Sequence, residues 1–203
     1  DGPGWDYSTA LDALATPRTA TARDLALSIV KSYEGRYSEK EARRSAFATD
    51  NSDTLAAIDA GRVAALASAL RSFVASTAEA RPGDWSAILA AYRRTPFFGG
   101  KFTDTYRDLG RLMTSIAAAT PSAAIRVAAQ GVASALGSAV FARTADQRQA
   151  TGLSIALPPR SSAVDQPYVS QIDASGFLDA TDWTLFQARF HQAAAQTRAL
   201  AGG

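Results

Sequence analysis

After Asp59 the apolar residues Val63, Leu66, Leu70, Phe73 and Val74 recur at helical spacing, and the run is halted by Arg81-Pro82-Gly83. That spacing puts one greasy stripe on a helix that has to find a partner surface. Asp59 is expected to cap the helix, because a short carboxylate side chain satisfies the free amides of a first turn. The same grammar repeats along the chain. A short helix is predicted over Ser8 to Ala15, ended by the approach to Pro17. Thr21 with Asp24 three residues on resembles a capping box opening a helix whose Ala22, Leu25, Ala26, Ile29 and Tyr33 share a face.

Asp84 is predicted to cap another helix with Trp85, Ile88, Leu89 and Tyr92 in line, up to the Pro96-Phe97-Phe98-Gly99-Gly100 break. Further helices are expected from Asp104 to Ala118 and from Pro121 to Leu136, proline being favoured at a first helical position. The last begins near Asp182, with Trp183, Phe186 and Phe190 on its buried face. Strand signals are few and short. Ala139–Arg143 and Leu153–Leu157 are apolar runs joined by a polar segment and are expected to form an antiparallel pair; Thr54–Ile58 is a third candidate. The reading is a helix-rich α/β chain with about seven helices and one short antiparallel pair, without a firm internal boundary over residues 1–203. Gly35 to Arg44 and the proline-containing stretch Pro158 to Pro167 read as connections.

A lone strand pair is marginal unless something covers it, so part of the sheet is expected to lie elsewhere and to leave an apolar face at Leu153 and Ile155. Composition removes several functional classes. With 47% hydrophobic and 20% charged residues the chain is suited to a packed core and not to disorder. A net charge of +2 with no block of like charges argues against a nucleic-acid partner. No apolar run reaches the roughly 18 residues that suggest a transmembrane segment. Having no cysteine, the chain has no disulfide, thiolate metal site or thiol nucleophile of its own. The opening Asp-Gly-Pro-Gly is a loop composition expected between elements, so excision from a longer precursor is the expectation.

Four segments carry a resemblance: Gly2-Pro3-Gly4-Trp5-Asp6-Tyr7 followed by Leu11 and Leu14, Thr54-Leu55-Ala56-Ala57-Ile58-Asp59, Tyr106-Arg107-Asp108-Leu109, and Gly152-Leu153-Ser154-Ile155-Ala156-Leu157-Pro158. In this order they are similar to segments that follow the catalytic dyad in clostripain-like cysteine peptidases. The resemblance implies the C-terminal portion of a caspase-like α/β fold. It also implies a bacterial secreted or envelope location, and peptide-bond hydrolysis after basic residues by a His and Cys on a preceding segment of the same precursor. No catalytic residue is then expected in this chain. The opening loop, Asp1, Trp5, Asp6 and Tyr7, would line a substrate pocket for a protein or peptide, with Asp6 or Asp1 facing a basic side chain and Trp5 flanking its stem. The alternative is that Asp6 caps the first helix and Trp5 packs below it. Calcium enters only through the resemblance, and no other cofactor is implied. A second functional class stays open, a peptidase-derived module without catalysis that serves for interaction or peptide binding.

Other constellations are weaker. Ser154, Asp165 and His191 stand in the chain order of a hydrolase triad, but Pro158-Pro159 prevents the helix that a nucleophile elbow requires. His191, the single histidine, is expected at a partly exposed surface. Asp50-Asn51-Ser52-Asp53 reads as a self-bonded turn and not as a calcium loop. Phe97, Phe98, Phe102 and Tyr106 are expected to plug the core, as are Trp85 and Trp183.

Overall fold

The computed structural model describes residues 7–15, 21–36, 54–98, 105–144, 150–159 and 176–201. Its helices are α1 (Tyr7–Ala15), α2 (Ala22–Arg36), α3 (Val63–Ser76), α4 (Pro82–Arg94), α5 (Leu109–Ala119), α6 (Ala123–Ala139), α7 (Phe177–Thr181) and α8 (Trp183–Ala201). The strands are β1 (Ala56–Ile58), β2 (Phe97–Phe98), β3 (Tyr106–Asp108), β4 (Val140–Arg143) and β5 (Ser154–Ala156). Helix-rich α/β architecture with short antiparallel strands is therefore the observed class. Among the described residues no helix is long and apolar enough to cross a membrane.

The core follows from the periodic stripes. Helix α6 packs against both α3 and α5, α4 rests on α5 and α8, and α7 lies on α3. Leu66, Leu70, Phe73 and Val74 of α3 meet Leu112, Met113 and Ile116 of α5 and Ile125, Val132 and Leu136 of α6 in one cluster. Helix α8 closes it. Phe186 is fully buried, with ring centroids at 4.7 Å from Trp183, 5.2 Å from Phe73 and 6.1 Å from Trp85. Aromatic rings at these separations, stacked for Trp183 and tilted for Phe73 and Trp85, add specific attraction to the burial of their area.

Helix starts match their chemistry, with shifts of a few residues. Thr21 and Asp24 do form a reciprocal cap: the Thr21 amide and hydroxyl donate to Asp24 Oδ2 at 2.9 and 2.7 Å, and the Asp24 amide donates to Thr21 Oγ1 at 3.2 Å. Asp59 caps a single 3-10 turn, Ala60–Arg62, that leads into α3. That helix stops at Ser76 and not at Arg81, because the Thr77 hydroxyl donates to the Val74 carbonyl at 2.7 Å and the chain turns. Helix α4 begins at Pro82, so Asp84 is not its cap but folds back from the first turn to accept from the Arg81 amide at 3.1 Å. Helix α6 starts after Ser122, whose Oγ accepts from the Ile125 amide; Pro121 lies outside it.

The strands depart further from expectation. Ala139–Arg143 and Leu153–Leu157 do not pair with each other. β4 pairs with β1, Ala57 opposite Ala142, while β5 joins a three-stranded sheet in the order β2-β3-β5, Arg107 opposite Ile155. Gly152, at φ +112°, turns the chain towards the second sheet, and a Cβ there would lie 2.8 Å from Val140 Cγ1. Residues 106–108, expected to be helical, are the central strand β3, and the helix starts only where Asp108 accepts from the Arg111 amide. The expected apolar face at the sheet is not exposed either. Ile155 and Leu157 are buried in the core and Leu153 is half-buried against it, in one cluster with Trp183, Phe186 and Phe190 of α8. Of the predicted connections, 37–44 and 160–167 lie outside the described residues.

Asp84 joins the helices from a buried position. Its Oδ1 accepts from the Thr120 hydroxyl at 2.8 Å and the Ser122 amide at 3.0 Å, linking the start of α4 to the α5–α6 turn. Burial pushes its carboxyl up, but the hydrogen bonds from Arg81, Thr120 and Ser122, with the Arg81 charge, outweigh burial and hold it below the ordinary value.

Two tests follow from this packing. Phe186→Ala should lower the unfolding free energy by about 3–5 kcal/mol, the range for truncating a buried phenylalanine, read from urea denaturation. Because the Asp84 carboxyl is held down in the fold, the unfolded chain binds the extra proton. The stabilisation is complete above about pH 4 and is lost as pH falls through the folded value. Asp84→Asn should therefore be less stable at neutral pH, its amide facing the Arg81 N–H, and should lose less stability than the parent when unfolding is measured down to about pH 3.

Candidate functional site

Of the residues read as a substrate pocket, Asp1, Trp5 and Asp6 lie outside the described residues, and Tyr7 is the first residue of α1. Asp50 to Asp53 and Asp165 lie outside them as well. Of the hydrolase-like grouping only Ser154 and His191 are described. Ser154 is exposed on β5 opposite Asp108, whereas His191 is half-buried on α8 and donates from Nε2 to the Pro158 carbonyl at 2.9 Å. No hydrogen bond links Ser154 to His191. Among the described residues no group of three His, Asp or Glu side chains could hold a metal ion. Tyr106, expected to plug the core, is half-buried, as is Trp85.

What the fold does bring together is three of the four segments that carry the resemblance. Thr54–Asp59 supplies β1, Tyr106–Leu109 supplies β3 and the start of α5, and Gly152–Pro158 supplies β5. Asp108, 1% exposed, is the fastener. Its Oδ1 accepts from the Arg111 amide at 2.8 Å and the Thr151 hydroxyl at 2.6 Å, and its Oδ2 accepts from the Thr151 amide at 2.6 Å. Three donors on one buried carboxylate compensate its loss of water. The Leu109 amide then donates to the Leu153 carbonyl at 2.9 Å, and the Gly110 amide to Thr151 Oγ1 at 3.1 Å. Gly110 allows that approach, since a Cβ there would sit 2.5 Å from Thr151 Oγ1. Gly152 abuts Val140 and Ala56, so β1, β4 and the entry to β5 meet at one point. The Thr151 hydroxyl is held between a carboxylate and a helix amide, which makes it a structural tie and leaves it no free base.

Arg107, beside Asp108, is buried with its guanidinium 4.1 Å from the Tyr92 ring centre, and its Nη1 donates to the Thr95 carbonyl at 3.0 Å. It anchors the central strand to the end of α4.

One open concavity stands apart from this knot. A groove of about 470 Å³ runs between the turn after α3, the first turns of α4 and the polar side of α8; it is lined by Thr77, Ala78, Ala80, Pro82, Trp85, Ser86, Arg189, Gln192, Ala193, Gln196 and Thr197. Arg189 is half-buried there. Its Nη1 donates to the Val74 carbonyl at 2.9 Å and to Thr77 Oγ1 at 3.2 Å, which satisfies acceptors at the end of α3. Sequence reading did not select these residues. The recurrence of Arg189, Gln192 and Gln196 at helical spacing along α8 is the one signal in the sequence that marks a shared polar stripe, and it does not reveal the facing wall. The wall opposite comes from a turn more than a hundred residues away in the chain.

Comparison of the chain with protein-family models, with curated proteins and with solved structures returns no match.

The Asp108 knot is open to a double-mutant cycle. Asp108→Ala should cost at least about 2 kcal/mol by leaving buried donors unmet, and Thr151→Val about 1–2 kcal/mol. The double variant should lose less than the two together, because both substitutions remove the same bond. Additive losses in urea denaturation would mean that the two residues act independently.

Proposed function

We propose that this chain is the non-catalytic C-terminal portion of a clostripain-like cysteine endopeptidase of caspase-like fold, acting in a bacterial secreted or envelope setting. Its part is scaffold and one wall of the substrate pocket. The observation that carries this reading is that Tyr106–Leu109 and Gly152–Pro158, which resemble that family and are remote in sequence, form the adjacent strands β3 and β5 fastened through Asp108 and Thr151, while Thr54–Asp59 forms β1 of a separate two-stranded sheet that approaches them at Gly152.

The chemistry divides between two polypeptide segments. Peptide-bond cleavage of this type needs a thiolate, an imidazole to activate it and protonate the leaving amine, and donors for the oxyanion. The 203 residues hold no cysteine and a single histidine, whose Nε2 bonds a backbone carbonyl. The nucleophile and base therefore belong to the partner segment of the precursor. Asp1 or Asp6 receives a lysine or arginine side chain of the substrate, with Trp5 and Tyr7 beside it.

One observation favours the second reading, a peptidase-derived module without catalysis. Ile155 and Leu157 are buried in the chain's own core, so the β2-β3-β5 sheet needs no outside strand on that face.

The two readings separate on one experiment. The chain is isolated from its native source under mild conditions and treated with an arginine-directed probe that alkylates active-site thiols. The peptidase reading expects a second polypeptide to co-purify, to carry the label on a cysteine, and to cleave arginyl or lysyl peptide bonds, while the separated chain has no activity. A co-purifying segment without cysteine and histidine, or a chain that elutes alone, would overturn it.

A further inference from the structure

The groove between α4 and α8 has a makeup that its structural duties do not account for. Arg189 is anchored through Nη1 by two neutral acceptors, the Val74 carbonyl and Thr77 Oγ1, which fix the guanidinium without neutralising it. No carboxylate among the described residues pairs with Arg189, and no lining residue is acidic. Asp84, in the turn that carries Trp85, does not fill that role. Its two oxygens accept from the Arg81 amide, the Thr120 hydroxyl and the Ser122 amide. A half-buried positive charge is thus presented to an open concavity beside the amides of Gln192 and Gln196.

We propose that this groove binds a carboxylate-bearing ligand whose flat apolar body lies along the Trp85 indole and whose carboxylate meets Arg189, flanked by Gln192 and Gln196. The planar guanidinium fork matches a carboxylate in shape and charge. One cation answers one negative charge, so a phosphate dianion would keep an uncompensated charge in the groove. Trp85 is braced from behind by Phe186, ring centroids 6.1 Å apart, and offers a rigid wall to an apolar body. A volume of about 470 Å³ falls within the roughly 300–1,000 Å³ typical of small-ligand sites. The same chemistry has two sources, the carboxylate end of a peptide and a free aromatic acid.

The test uses the full chain, labelled with ¹⁵N, and three probes: N-acetylphenylalanine, its uncharged amide, and N-acetyl-dialanyl-phenylalanine. The acid should shift the side-chain amide signals of Gln192 and Gln196 saturably. The uncharged amide should bind at least about tenfold more weakly, the loss expected for a charge-assisted hydrogen bond. Gln192→Glu places a like charge in the groove at an exposed position that takes no part in the Val74 and Thr77 contacts. It should weaken the acid by about tenfold or more while leaving the melting temperature unchanged. Tighter binding of the tripeptide identifies a peptide end as the ligand, and equal binding a free acid. Equal affinity for acid and amide, absence of saturable shifts at Gln192 and Gln196, or an unaltered affinity in Gln192→Glu would overturn the proposal. None of these outcomes depends on the peptidase reading.

Discussion

The Ala156 carbonyl at the edge of β5 accepts from two side chains of α8 at once, the Trp183 indole at 2.8 Å and the Gln187 amide at 2.9 Å. This clamp ties the three-stranded sheet to the helical bundle. Strands of two or three residues hold too few ladder bonds to persist alone. They persist here because the helix that clamps their edge also drives Phe186 and Phe190 into the core. A further turn on, His191 repeats the contact at the Pro158 carbonyl, so three successive exposures of α8 follow the outgoing chain. Arg71 steadies the entry to α8 from the other side, donating to the Asp179 carbonyl and lying 3.3 Å from Asp182 Oδ2. That ion pair is exposed and contributes orientation more than energy.

Two buried aspartates then do for the helix starts what α8 does for the sheet. Asp84 and Asp108 each sit in or just before a first helical turn, where a carboxylate is favoured by free amides and by the helix dipole. Each uses its second oxygen or spare lone pairs to reach a distant segment: the α5–α6 turn for Asp84, the approach to β5 for Asp108. Local capping chemistry is thereby turned into tertiary fastening. Arg189 does the converse at the end of α3, where a cation adds to the donors on the Val74 carbonyl.

The helices and their buried stripes were legible because a long period repeats its signal. Leu66, Leu70, Phe73 and Val74, and Trp183, Phe186 and Phe190, are core residues where the spacing put them. The strand partners were not legible. Three residues hold no alternation, and Tyr106-Arg107-Asp108 suits the first turn of a helix as well as it suits a strand. What decides the matter is Arg107, whose burial depends on the Tyr92 ring and the Thr95 carbonyl, contacts made only once α4 is in place. The sheet was expected to lack cover because α8, whose Trp183, Phe186 and Phe190 share the core with Ile155 and Leu157, is separated from β5 by a long connection. The groove was illegible for the same reason, since its two walls lie at Thr77–Ser86 and Arg189–Thr197.

The central claim is that sheet and helices form one core closed by α8, and native-state hydrogen exchange tests it most directly. The amides of Leu109 and Leu157, which donate to Leu153 and Thr105 across the sheet, report on the strands, and the amide of Ile116 reports on the bundle. One core predicts that all three exchange only through global unfolding, with the same free energy and the same denaturant dependence. Exchange of Leu109 and Leu157 through a separate, lower-energy opening while Ile116 stays protected would contradict it, and would show a sheet that waits for cover from another polypeptide.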